Sequence, residues 1–148
     1  MQIQALTEKD ALWRETAAYA RGCSWRAGKE LAQQMGQGAF TGWERVFAAF
    51  EGEKPAGYCT LKKRDCILDL PYTPYIGFVF VGEPFRGRRL SQRLIAAAMD
   101  YARELGFGEV YLISDHQGLY EKYGFVRVDE KPAPWNPQTF ETIFMHRL

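Results

Sequence analysis

The sequence predicts a mixed α/β sandwich, an α+β fold built as a single domain over residues 1–148, and three observations carry that prediction. The first is a strand–helix–strand unit between Tyr75 and Asp115, whose crossover makes its two strands parallel and right-handed in connection. The second is the presence of further strand-like runs before and after this unit, one pair of them joined by a turn and therefore antiparallel. The third is ordinary globular composition, 47% hydrophobic and 25% charged over 148 residues, with no compositional break, internal repeat or low-complexity tract.

In chain order, Gln2 to Leu6 alternates as a short strand. Thr7-Glu8-Lys9-Asp10 has the shape of a capping box and predicts a helix through about Arg21, stopped by Gly22. Trp25 to Met35 reads as a second helix of weaker periodicity. Gly36 to Gly42 nearly spells a dinucleotide fingerprint, but its third glycine is one place late and no strand precedes it, so a mobile loop is expected. Glu44 to Glu51 and Ala56 to Arg64 read as strands around Gly52-Glu53-Lys54-Pro55.

Asp65 to Pro74 carries the chain to Tyr75–Val81, a β-branched and aromatic run typical of a buried strand. Leu90, Leu94, Ala97, Ala98, Tyr101 and Leu105 recur at helical spacing, and Gly106 ends that helix. Glu109 to Ser114 is the next strand, a short helix surrounds Tyr120, and Val126 to Glu130 is a strand. The prolines of Lys131 to Pro137 predict irregular structure there, because proline removes a donor and fixes φ. Thr139 to Leu148 closes the sheet.

The turn Glu83 to Ser91 carries the first chemical signal. Where a strand feeds straight into a helix, the leading amides lack intrahelical partners and the helix dipole adds positive charge, so an anion, most naturally a phosphate, is favoured there. Gly87 permits the tight geometry, while Arg86, Arg88, Arg89 and Arg93 concentrate cations around it.

Arg86-Gly87-Arg88-Arg89-Leu90-Ser91 resembles the pyrophosphate loop of the GNAT superfamily of acyl-CoA-dependent N-acyltransferases, and Leu119 to Phe125 resembles that family's second signature. Arg89 stands where the family usually has glycine, and Ser91 where it has glycine or alanine. The likeness implies a sheet of six to seven strands, mostly antiparallel with a central parallel pair, flanked by about four helices.

It further implies that acetyl-CoA is the co-substrate, held by Phe80, Val81, Arg86, Gly87, Arg88, Arg89, Leu90, Ser91, Ser114 and Lys122. Backbone amides of Phe80 and Val81 would polarise the thioester carbonyl. Tyr120 maps to the tyrosine whose hydroxyl faces the coenzyme A sulfur, whereas Tyr123, Leu119 and Phe125 read as packing residues. Acyl transfer also requires a neutral amine. No carboxylate lies in Tyr75–Val81, which leaves Asp69, Asp115, His116 or a water chain to take the proton. Asp115 could equally cap the helix that follows. Some of Trp25, Phe40, Trp43, Tyr72, Tyr75 and Trp135 are expected at the acceptor.

A net charge of +1 offers no global field for nucleic acid or an anionic membrane. A nucleic-acid module using the Arg86–Arg93 patch and a non-catalytic acyl-CoA sensor are the competing classes. Cys23, Cys59 and Cys66 suit neither a disulfide framework nor structural zinc, and no metal is expected. A nucleophile triad from Cys23, Ser24, His116 and His146 lacks a nucleophile turn. No signal peptide or membrane-spanning run is read. The expectation is a cytoplasmic enzyme acting on a small-molecule or peptide amine, with the homodimer as the assembly that the resemblance allows.

Overall fold

A computed structural model describes residues 1–148. The elements run β1 (Gln2–Leu6), α1 (Trp13–Gly22), α2 (Ala27–Gly36), β2 (Arg45–Glu51), β3 (Lys54–Lys62), β4 (Tyr75–Val81), a 3-10 turn (Glu83–Phe85), α3 (Leu90–Glu104), β5 (Glu109–Ser114), α4 (Leu119–Lys122), β6 (Val126–Ala133) and β7 (Asn136–Arg147). The strands form one sheet in the order β1-β2-β3-β4-β5-β7-β6, antiparallel throughout except for β4 and β5. The expected sheet of six to seven strands with a central parallel pair is therefore observed, with seven strands. No helix is long and apolar enough to cross a membrane.

Helices cover both faces of the sheet. On one face, α3 buries Leu90, Leu94, Ile95, Ala98 and Ala102 against Phe47, Cys59, Leu61, Ile76, Val110 and Leu112. Leu105, expected on that face, is exposed, and Ile95 and Ala102 take the place it was given. Gly106 (φ +94°) closes α3 in a Schellman arrangement: its N–H reaches the Arg103 carbonyl and the Phe107 N–H reaches that of Ala102.

On the other face, α1 and α2 bury Trp13, Ala17, Ala20, Leu31 and Met35 against Val46, Ala48, Phe50, Tyr58 and Phe80. Gly28 sits where these helices cross. A Cβ there would fall on the Ala20 carbonyl oxygen and lie 2.6 Å from Cys23 Sγ. Gly28→Ala is accordingly expected to destabilise the fold by about 3 kcal/mol and to lower Tm by roughly 10 °C in calorimetry.

Two further expectations are corrected. The Thr7–Asp10 motif forms a turn in which the Asp10 carboxylate accepts from the Thr7 N–H at 2.7 Å, and α1 begins only at Trp13. The proline-rich stretch is strand: β6 continues through Pro132 and β7 starts before Pro137, joined by Pro134-Trp135. β6 is the outermost strand, so a residue without an N–H can sit on its open side and interrupt no ladder.

The feature that positions the site is the parting of β4 from β5. Their ladder contains the single register pair Tyr75 and Tyr111. Beyond it β4 carries a bulge, for Tyr58 and Thr60 of β3 face Phe80 and Gly77, leaving Phe78 and Val79 opposite Cys59. Phe78 adopts φ +48°, uncommon for any residue with a side chain. A bulge bends its strand, and here it leaves a gap through the middle of the sheet.

Candidate active site

The gap opens into a cleft of about 1460 Å³ bordered by β4, β5, the 62–66 segment, α2, α4 and the β6–β7 hairpin. A smaller cavity of about 280 Å³ adjoins it at the front of α3, lined by Val81, Phe85, Arg86, Gly87, Arg89, Leu90, Ser91 and Tyr123.

The front of α3 has unspent donors. The first helical bond runs from the Arg93 N–H to the Arg89 carbonyl, and none of the amides of residues 87 to 92 donates to a protein acceptor. No side chain caps the helix and its first turn holds no acid. Gly87 (φ +78°) and Arg89 (φ +59°) take left-handed backbone, which curls the chain so that these amides follow one another around the turn. Arg89 thus adopts the conformation that glycine allows at no steric cost, so its side chain does not stop the loop from forming.

The cations are less concentrated than their spacing suggested. Arg86 and Arg89 border the small cavity. Arg88 lies over the Phe85 ring at 5.9 Å, and Arg93 donates to the Met1 carbonyl at 3.0 Å. Lys122 is exposed and borders neither cavity.

Along β4, the Gly82 N–H donates to the Ala56 carbonyl at 2.8 Å. Antiparallel pairing alternates, so Phe80 also bonds β3, whereas Val81 turns its N–H and C=O toward the gap. The Val81 carbonyl accepts from Arg86 Nε at 3.0 Å, which leaves its N–H as the donor at this edge. The Phe80 ring stacks on Trp25 and Tyr58, with centroids 6.0 Å and 5.3 Å away.

Tyr120 is 6% exposed, borders the large cleft, and belongs to the core on the α3 face. Burial, followed by Tyr123 and Cys59, pushes its phenol up to about 12, with the Ser114 hydroxyl pulling the other way. At neutral pH it is a proton-bearing donor and not a base. Tyr123 does more than pack: its hydroxyl lies 2.9 Å from that of Ser91, tying α4 to the front of α3.

Asp115 and His116 are exposed at the mouth of the cleft, together with the partly buried Ser114. The Ser114 hydroxyl accepts from the His116 N–H. Asp115 caps nothing; the Gly118 N–H at the start of α4 is bound by the Glu121 carboxylate at 3.1 Å. Asp69 does not border the cleft. Cys23 lies 3.5 Å from the Tyr58 hydroxyl and His146 packs against Gly124, so no triad is assembled. Trp25, Tyr75 and Trp135 border the cleft, whereas Phe40, Trp43 and Tyr72 do not.

Two carboxylates escaped the sequence reading. Asp65 folds back over β4, so that a Cβ on Gly77 would stand 3.0 Å from its Oδ2. Burial pushes it up to about 6, against the Cys66 N–H and Lys62. Glu141, on β7, is 7% exposed and also borders the cleft. The signal available for Asp65 was a glycine on β4 preceded by an acid-bearing linker long enough to fold over it; for Glu141 there was none.

Residues 9–125 match the model of the Acetyltransferase (GNAT) family. No curated protein matches the chain. Among solved structures, an aminoglycoside 6'-acetyltransferase type Ii is similar with a TM-score of 0.74 at 15% identity, over 99% of this chain and 97% of the other. The aminoglycoside 6'-N-acetyltransferase from Enterococcus faecium gives 0.73 at 15%, over 99% and 97%. A GNAT family N-acetyltransferase (YhbS) from Escherichia coli in complex with CoA gives 0.69 at 20%, over 99% and 80%. At these identities the likeness is one of fold.

Proposed function

The chain belongs to the GNAT acetyltransferase family, and from that premise we propose that it transfers an acetyl group from acetyl-CoA to the primary amine of a small molecule by direct attack. The observation that carries this reading is the run of unbonded amides at 87–92 beside a cleft that contains a buried, protonated Tyr120. Solved relatives of the same fold hold coenzyme A, and others act on aminoglycosides, which are small-molecule amines.

The residues present fit such a co-substrate. The amides of 87–92, with Arg86 and Arg89, would hold its pyrophosphate. When bound it supplies an activated acetyl carbon, to which the amine nitrogen bonds as the carbon–sulfur bond breaks. Val81 N–H is placed to donate to the carbonyl oxygen as charge develops on it. Tyr120 donates a hydrogen bond toward the leaving sulfur, because a phenol is a weaker acid than a thiol and does not surrender its proton early.

Asp65 accepts the proton that the ammonium must lose, and Asp115 and His116 at the mouth pass it to solvent. Arg93 and Arg88 are engaged elsewhere, so a continuous phosphate-binding track for nucleic acid is not part of this proposal. Three unpaired cysteines suit the reducing cytoplasm.

Isothermal calorimetry with acetyl-CoA, followed by thiol release with a panel of amines, tests the reading; no saturable binding rejects it. The assignment of Asp65 has its own signature. Its pKa is raised, so the carboxylate forms as pH rises through about 6, and kcat is expected to climb through the same value. Asp65→Asn should lower the plateau by roughly 100-fold and remove that acidic limb. The same raised pKa means that the folded state loses stability as pH rises through about 6. Asn at 65 is therefore expected to raise Tm at pH above that range while activity falls, and an unaltered limb in Asp65→Asn would exclude the role.

A further inference from the structure

Tyr123, the residue that follows α4, meets Ser91 of α3 hydroxyl to hydroxyl at 2.9 Å, and no other side-chain hydrogen bond joins the two elements. Ser91 borders both openings, whereas Tyr123 borders only the small one and Tyr120 only the large one. The bond thus stands where the two openings adjoin. Glycine or alanine, which the family usually has at the position of Ser91, carries no hydroxyl and could make no such bond.

The α4 turn needs an external tie. It is a single turn, Leu119–Lys122, set between the left-handed Gly118 and Gly124 (φ +87° and +95°), and one turn is too short to hold a helix by its own bonds. Tyr120 and Tyr123 occupy neighbouring faces of it, with ring centroids 6.3 Å apart and planes at 78°. Whatever fixes the second ring therefore orients the first. Phe125 and Phe144 bury the Tyr120 ring, but apolar packing has no direction, whereas a hydrogen bond sets both a distance and a line of approach. The nearness of the pair also shows in the Tyr120 phenol, which Tyr123 pushes up more than any cause except burial.

A coenzyme held by its pyrophosphate at 87–92 presents its sulfur at a distance set by its own covalent arm, so a donor on α4 must stand at a fixed offset from the front of α3. An error of roughly 1 Å in such an offset costs about 100-fold in rate. We infer that the Ser91–Tyr123 bond sets this offset, which makes Tyr123 a positioning residue that acts on turnover only through the Tyr120 hydroxyl. The inference rests on the acetyl-transfer reading and deepens it.

Thiol release from acetyl-CoA is followed with the fastest amine of the panel, or with water as acceptor if no amine exceeds it, and Kd for acetyl-CoA is taken by calorimetry. Tyr123→Phe and Ser91→Ala are each expected to lower kcat about tenfold and to leave Kd within about threefold. Both remove the same bond, so the double variant should also lose about tenfold and not about 100-fold. The Tyr120→Phe background supplies the readout that a tie serving only the fold would not give. With the Tyr120 hydroxyl already gone, adding Tyr123→Phe should lower kcat by less than about a further twofold.

Parent-like kcat in either single variant, or a loss that falls on Kd, overturns the inference alone. So does multiplication of the two losses in the double variant, or a full tenfold loss on top of Tyr120→Phe, which would make the bond a support of the fold. No saturable acetyl-CoA binding, or no thiol release by the parent, overturns the reading beneath it. Parent-like turnover in Tyr120→Phe removes the donor that the bond is inferred to place.

Discussion

Tyr120→Phe is expected to lower kcat by roughly 100- to 1,000-fold while the Kd for acetyl-CoA changes by less than about threefold. The hydroxyl alone is lost: the ring remains packed between Phe125 and Phe144, with centroids 6.2 Å and 5.8 Å away, so the core is preserved. A donor aimed at charge that appears only as the thiol leaves contributes to the barrier and little to ground-state affinity. Single-turnover rates and calorimetry on the same variant check both halves. Turnover equal to that of the parent would remove Tyr120 from the chemistry.

Ser91→Pro should weaken acetyl-CoA binding by about 10- to 100-fold, the loss of one hydrogen bond to a charged group. Proline removes the N–H but is tolerated in the first turn of a helix, so α3 should form and Tm should move little. Ser91→Ala is the companion variant. It keeps the N–H and loses only the hydroxyl that meets Tyr123 at 2.9 Å. If the main chain binds the phosphates, alanine binds nearly as the parent does; if the serine hydroxyl is responsible, the two variants weaken alike.

The segment from Tyr75 to Phe125 was the most legible because each of its signals is local. A β-branched strand, a positive-φ glycine, an amphipathic helix and a Schellman glycine are all decided within a few residues. Tertiary context decided what was misread. The prolines at 132 and 137 became strand because the sheet ends beside them. Thr7 and Asp10 satisfied each other in a turn and did not start α1.

The site followed the same division. Backbone donors at the front of α3 could be placed from the order of strand, glycine and helix, since every helix leaves such amides. The acids at 65 and 141 could not be placed. One is brought in by a linker folded over β4, and the other by the register of a strand far along the chain. Cation spacing in turn did not show which guanidinium groups border the small cavity, because Arg93 and Arg88 found partners that no local rule names.

The single register pair between β4 and β5 has a consequence for ligand recognition. A passage framed by an interrupted ladder and a left-handed Phe78 is set when the chain folds, so a guest entering it breaks no strand pairing. Little affinity is then spent on reorganisation, and encounter is governed by diffusion into a ready aperture. Altered substrate choice would arise from the residues that line the walls, with the scaffold left as it is.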